Sequence, residues 1–142
     1  METKYVFKNE EETAAFGKSF AEGLAPGSVV ALMGDLGAGK TTLTKYIAKG
    51  LGIGENISSP TFTIVCEYDS GRLPFYHFDV YRVYDEEELF EIGFDDYIHG
   101  KGVCVIEWAD LIRDLLPENT VTINLSYGEA DGERIAVVST EE

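Results

Sequence analysis

Two kinds of hydrophobic pattern alternate along this chain. Val29-Val30-Ala31-Leu32-Met33 and Val103-Cys104-Val105-Ile106 are short, unbroken apolar runs, as in strands buried on both faces. Other segments space their apolar residues three and four apart. From Thr42 to Ala48 this spacing predicts a helix with Leu43, Ile47 and Leu51 on one face. Asn9 suits the cap of an earlier helix, because Glu10, Glu11 and Glu12 favour the positive end of the helix dipole. Ala14, Ala15, Phe16, Phe20, Ala21 and Leu24 continue that helix to the break at Pro26-Gly27.

The remaining elements follow the same logic. Tyr5-Val6-Phe7 predicts a short first strand. Phe62 to Tyr68 and Leu73 to Tyr81 predict two strands joined by the turn residues Asp69-Ser70-Gly71-Arg72. Asp85 caps a predicted helix that runs to Ile92. Gly102 to Glu107 predicts a buried strand, Ala109 to Leu116 a short helix, and Val121–Leu125 with Arg134–Val138 a closing hairpin. Strands alternating with helices predict an α/β sandwich, and two hairpins predict a mixed parallel and antiparallel central sheet flanked by helices. A length of 142 residues predicts one domain over 1–142.

One segment between a predicted strand and a predicted helix carries chemistry. Gly34-Asp35-Leu36-Gly37-Ala38-Gly39-Lys40-Thr41 matches G-x-x-x-x-G-K-T, the P-loop of nucleotide-binding proteins. In that motif glycines let backbone N–H groups turn toward phosphate, the lysine reaches the β- and γ-phosphates, and the following hydroxyl ligates Mg²⁺. Asp35, Leu36, Gly37, Ala38, Gly39, Lys40, Thr41 and Thr42 are therefore candidate nucleotide contacts, and the fold expected is a P-loop NTPase sandwich.

Such a loop needs a carboxylate at the end of a nearby buried strand. Glu107 ends the run Val103-Cys104-Val105-Ile106 and is the first candidate for Mg²⁺, with Thr41. Asp79 is the second. Strand alternation puts it on one face with Phe75, His77 and Tyr81, opposite Tyr76, Phe78 and Val80. There it would orient the attacking water or bind metal-bound water, or else form an ion pair with Arg82. His77 alone reads as structural. Thr61, after Pro60, reads as a switch threonine that senses the γ-phosphate, or as an ordinary Ser-Pro-Thr turn. Trp108 reads as a core aromatic or as a reporter of the state of the site.

Composition narrows the partners. Net charge is −15 with only eleven Lys and Arg, which argues against this chain alone gripping RNA or DNA by its phosphates. No apolar run approaches the length of a membrane span, and the N-terminus has no apolar signal region, so a cytoplasmic protein is expected. Cys66 and Cys104 sit singly in apolar runs and read as core residues rather than as a zinc site.

Gly34 to Thr42, Ser59-Pro60-Thr61-Phe62, His77-Phe78-Asp79-Val80-Tyr81-Arg82 and Glu107-Trp108-Ala109-Asp110 together resemble the bacterial TsaE (YjeE) ATPases in order and spacing. The resemblance covers essentially the whole chain. It implies ATP and Mg²⁺ as ligands, and a role in making threonylcarbamoyladenosine at position thirty-seven of tRNAs that read codons starting with A. It implies work with TsaB and TsaD, with tRNA reached only indirectly through the complex. It assigns phosphate to Lys40, Mg²⁺ to Thr41 and Glu107, and support of hydrolysis to Asp79. Thr61 and Trp108 belong to responsive segments around the site. Thr13, near the start of the first helix, and Arg134, in the last hairpin, are candidates for the adenine end. No Asn/Thr-Lys-x-Asp element is present, which favours ATP over GTP. A small-molecule kinase and a non-hydrolysing nucleotide-binding module remain the alternatives. A kinase has to close over an acceptor, and no arginine-rich lid segment is visible.

Overall fold

The computed structural model describes residues 1–35, 37–58, 64–83 and 85–140. The described elements are, in chain order, β1 (Glu2–Phe7), α1 (Glu10–Glu22), β2 (Val29–Gly34), α2 (Lys40–Gly50), β3 (Val65–Tyr68), β4 (Phe75–Asp79), α3 (Glu86–Glu91), α4 (Phe94–Ile98), β5 (Val103–Glu107), a 3₁₀ segment (Ala109–Leu115), β6 (Val121–Tyr127) and β7 (Arg134–Ser139). Seven strands form one sheet in the order β1-β7-β6-β2-β5-β4-β3. β2 runs parallel to β5 and β6, and β4 runs parallel to β5. The outer pairs β3·β4, β6·β7 and β1·β7 are antiparallel. The expected α/β architecture with a mixed sheet is what the chain adopts.

Strand periodicity divides the core into two layers. Val30 and Leu32 of β2, Val103 and Val105 of β5, and Phe75 of β4 face α1 and α2, packing with Leu43, Ile47 and Ala21. Val29, Ala31, Met33, Cys104, Ile106 and Phe78 face the other way, against Leu89, Phe94, Ile98 and Ile112. The central strands are thus buried on both faces, as their unbroken apolar runs required. Helix α1 crosses α2 closely at Gly17, where an added Cβ would lie 2.6 Å from Cβ of Tyr46.

The element ends have local causes. The Asn9 side chain accepts the Glu12 amide at 3.0 Å, and Asp85 forms a capping box with Glu88. The last turn of α1 carries no basic residue of its own. Instead the Arg72 guanidinium, from the β3–β4 turn, donates to the carbonyls of Ala21 (2.7 Å) and Leu24 (2.9 Å). A cation is thereby placed at the negative end of the helix.

The structure amends several boundaries. β1 starts at Glu2, because the whole segment pairs with β7, and β6 continues to Tyr127 for the same reason. β4 is confined to Phe75–Asp79, the length of its pairing with β5. The segment after Trp108 is 3₁₀ rather than α and is kinked at Ile112. A helix at Phe94–Ile98 is additional to the expected elements. The Ser59-Pro60-Thr61-Phe62 segment, and with it Thr61 and the start of the strand expected from Phe62, lies outside the described residues, as does Leu36. Among the described residues no helix is long and apolar enough to cross a membrane, and no cluster of His, Cys, Asp and Glu forms a metal cage.

Neither cysteine is in a disulfide; Cys104 is fully buried and Cys66 partly exposed. Burial pushes the Cys104 thiol up from 9.0 to about 12. The fold therefore disfavours the Cys104 thiolate. This contribution to stability is complete below the unfolded thiol's value and is lost as pH rises from there toward 12. Native protein at pH 8 is expected to alkylate at Cys66 and to leave Cys104 unmodified until denaturant is added. Peptide mapping of iodoacetamide adducts checks this, and prompt labelling of Cys104 in native protein would contradict it.

Candidate functional site

Parallel pairing aligns the C-terminal ends of β2, β4 and β5 along one edge of the sheet. Leu32 lies opposite Glu107, and Asp79 lies opposite Glu107 from the other side. The glycine-rich loop leaves β2 at this edge and enters α2 at Lys40. Its first residue, Gly34, has φ of 136°, and an added Cβ would sit 2.1 Å from the Leu125 carbonyl oxygen. Only glycine combines that backbone angle with so close an approach of β6.

Alternation then decides which side chains meet. Val103 and Val105 face α2, so Glu107, two residues further on, does too. The Thr41 hydroxyl, in the first turn of α2, lies 2.9 Å from Glu107 Oε1 and 3.1 Å from Oε2. His77 follows Phe75 on the same face of β4, and its Nε2 lies 2.5 Å from Glu107 Oε2. His77 is fully buried and Glu107 nearly so. Asp79 stands at the strand end, half-buried, where its Oδ1 accepts the Tyr81 amide at 3.0 Å.

Lys40 is buried, and its ammonium donates to the carbonyls of Gly34 (2.7 Å) and Asp35 (2.9 Å). It also lies 3.9 Å from the centre of the Trp108 ring, a cation–π contact. Burial lowers the Lys40 pKa, opposed by the charges of Glu107, Asp110, Asp35 and Asp79. Trp108 has φ of 63°, a left-handed backbone that is uncommon outside glycine, and its ring packs on Tyr81 at 4.6 Å. Of the two readings of Trp108, its position over Lys40 favours contact with the site.

Two cavities meet at the loop. One, of about 280 Å³, is lined by Gly37, Gly39, Lys40, Thr41, Asp79, Glu107 and Trp108 among others. The other, of about 370 Å³, lies beyond Gly37–Gly39 and carries both Thr13 and Arg134, along with Phe7, Asn9 and Thr42. Thr13 and Arg134 are far apart in sequence. The antiparallel pairing of Phe7 with Arg134 joins them, because α1 follows directly from β1.

These positions bring together every described residue that the sequence singled out for the site. Lys40, Thr41, Asp79 and Glu107 share one cavity, and Ala38, Gly39, Thr42, Thr13 and Arg134 share its neighbour. Asp35 contributes its backbone carbonyl to Lys40. His77, which taken alone reads as structural, joins the site through its contact with Glu107. Its place beside Phe75 and Asp79 on one strand face was the available signal.

A family model described as threonylcarbamoyl adenosine biosynthesis protein TsaE matches residues 7–136. The chain belongs to the TsaE family. It is 51% identical over 127 residues to a Bacillus subtilis protein called tRNA threonylcarbamoyladenosine biosynthesis protein TsaE, covering 89% of this chain and 79% of that one. It is 48% identical over 134 residues to a protein of the same name from Treponema pallidum, covering 94% of this chain and 98% of the other. Its fold is similar to the crystal structure of Bacillus subtilis YdiB, with a TM-score of 0.85 and 44% identity, over 99% of this chain and 86% of that chain. In this member of the TsaE family, then, the matched region contains the whole constellation around the loop.

Gly34→Ala places a methyl group against the Leu125 carbonyl and forces a left-handed alanine. It is expected to lower the unfolding free energy by about 2–4 kcal/mol, combining backbone strain with overpacking. Urea denaturation measures this, and a loss below about 1 kcal/mol would show that β6 yields at little cost.

Proposed function

We propose that this chain is the Mg²⁺-dependent ATP-binding and ATP-hydrolysing subunit of the machinery that makes threonylcarbamoyladenosine at position thirty-seven of tRNAs reading A-starting codons. It acts with TsaB and TsaD as a P-loop NTPase domain over 1–142, in the cytoplasm, and reaches tRNA only through that complex. The observation that carries this reading is the convergence of Lys40, Thr41, Asp79 and Glu107 on one cavity at the glycine-rich loop. The relatives' names, which place them in tRNA threonylcarbamoyladenosine biosynthesis, supply the pathway.

The residues fit the ligands proposed for them. A hydroxyl and a carboxylate are hard oxygen donors, the kind Mg²⁺ takes alongside phosphate oxygens. Thr41 and Glu107 already touch, so one ion can engage both. When bound, Mg²⁺ would neutralise charge on the phosphate oxygens. Lys40 would exchange the Gly34 and Asp35 carbonyls for phosphate oxygens and so turn out from under Trp108. The backbone amides around Gly37, Ala38 and Gly39 would cradle the phosphates, with Asp35 and Leu36 completing the loop and Thr42 beside it. Asp79, at the cavity edge, would hold the attacking water. The nucleoside would enter the larger cavity, between Thr13 and Arg134. Thr61 would sense the terminal phosphate.

The acidity of the chain supports a division of labour in which its partners hold the tRNA. No arginine is assigned to the transition state, so the expected turnover is slow alone and rises with TsaB and TsaD.

Lys40→Ala is expected to abolish ATP binding. Asp79→Ala is expected to keep binding and to lose turnover by about 100-fold or more, the usual weight of a group that positions a nucleophile's proton. Calorimetry and phosphate release, with and without TsaB and TsaD, separate the two effects. Equal hydrolysis by wild type and Asp79→Ala would remove Asp79 from this role. ATP-dependent phosphorylation of a small acceptor by the chain alone would favour a kinase instead. Binding without turnover under any condition would leave a nucleotide-binding module.

A further inference from the structure

The imidazole of His77 is completely buried, yet its Nδ1 has no hydrogen-bond partner among the described residues. An unpaired polar atom in the core costs free energy that an apolar side chain of the same outline would avoid. Phe75, two residues earlier on the same strand face, is such a side chain. Packing alone therefore gives no reason for histidine at this position. Its other nitrogen does: Nε2 lies 2.5 Å from Glu107 Oε2.

The unpaired Nδ1 also locates the proton. Among the described residues a proton on Nδ1 has no acceptor, whereas one on Nε2 points at a carboxylate. His77 is thus a donor through Nε2–H to Oε2. Among the described residues, Oε2 lies within reach of two donors, His77 at 2.5 Å and Thr41 at 3.1 Å, while Oε1 has Thr41 at 2.9 Å. When the Thr41 hydroxyl turns to another partner, Oε2 keeps His77 and Oε1 is released toward the cavity.

We propose that His77 is the positioning residue of the cation site. Its Nε2–H pins Oε2 of Glu107, so that Oε1 is the oxygen presented beside Thr41 to the divalent ion. This rests on the reading of Thr41 and Glu107 as the Mg²⁺ end of the nucleotide site. Metal-ligating carboxylates commonly need such a support, and its loss typically costs about 10- to 100-fold in metal affinity. No bond is made or broken by His77; it acts only through Glu107.

The test measures how Mg²⁺ tightens binding of the β,γ-imido analogue of ATP, by calorimetry, in wild type and in His77→Phe, His77→Gln and His77→Asn. Glutamine carries an amide N–H about as far out as Nε2, and asparagine falls short of it. The expected result is a loss of apparent Mg²⁺ affinity of about 10-fold or more in His77→Phe and His77→Asn. His77→Gln is expected to stay within about 3-fold of wild type, and analogue binding in EDTA to be alike in all four proteins. If Mg²⁺ leaves wild-type binding unchanged, the metal reading of Thr41 and Glu107 falls and takes this proposal with it. If Mg²⁺ tightens wild type and all variants equally, the His77 proposal alone is overturned. Should His77→Phe not fold, the glutamine and asparagine variants decide, and an equal response of those two overturns it. Nitrogen-15 imidazole spectra of the ligand-free protein give an independent readout. A proton on Nε2 supports the assignment, and a bare Nε2 overturns it.

Discussion

A strand buried on both faces has only its ends to offer to polar chemistry, and this constraint shapes the whole molecule. β2 up to Met33 and β5 up to Ile106 are apolar, and helices cover both sides of them. Parallel pairing then makes their C-terminal ends, and that of β4, coincide. The loop after β2, the carboxylate ending β5 and the carboxylate ending β4 meet for that reason, and the start of α2 lies above them. The position of the candidate site follows from the sheet rather than from any attraction among its polar groups, in line with the general placement of ligands at the carboxyl ends of parallel strands.

How much of this was legible depends on whether the signal was local. The loop from Gly34 to Thr41, the runs ending in Met33 and Glu107, and the caps at Asn9 and Asp85 are short-range patterns, and each sits where its pattern implied. Alternation also placed Phe75, His77 and Asp79 on one face correctly. It did not tell which strand would lie beside β4, so it did not tell that His77 would reach Glu107. That contact needs the order β2-β5-β4, a long-range property. Helix α4 leaves no mark in the sequence, although Phe94 and Ile98 have helical spacing, because five residues after a glycine give too little periodicity to read. The kink at Ile112 likewise has no sequence marker as plain as a proline. Thr13 and Arg134 came from resemblance to relatives, and only the β1–β7 register supplies a physical reason for their proximity.

The surroundings of Lys40 bear on how such a site takes a polyphosphate. Its ammonium is the charge a phosphate would seek, yet it is buried, bonded to two carbonyls and covered by Trp108. Four carboxylates, on Glu107, Asp110, Asp35 and Asp79, act on it electrostatically. Four carboxylates around Lys40, in a chain of net charge −15, disfavour the approach of a bare polyphosphate to this end of the site. Two features oppose that repulsion: the amide groups of the loop and the N-terminus of α2, which together make a short-range anion site. Neither is large enough to cancel several full charges at close quarters. A divalent cation entering with the nucleotide would reverse the local balance at the point where Thr41 and Glu107 lie in contact. On the proposed reading of the site, the acidity around Lys40 argues that nucleotide and metal would enter together, with Glu107 the group whose charge would change most in meaning: repulsive to phosphate alone, attractive to phosphate with its ion.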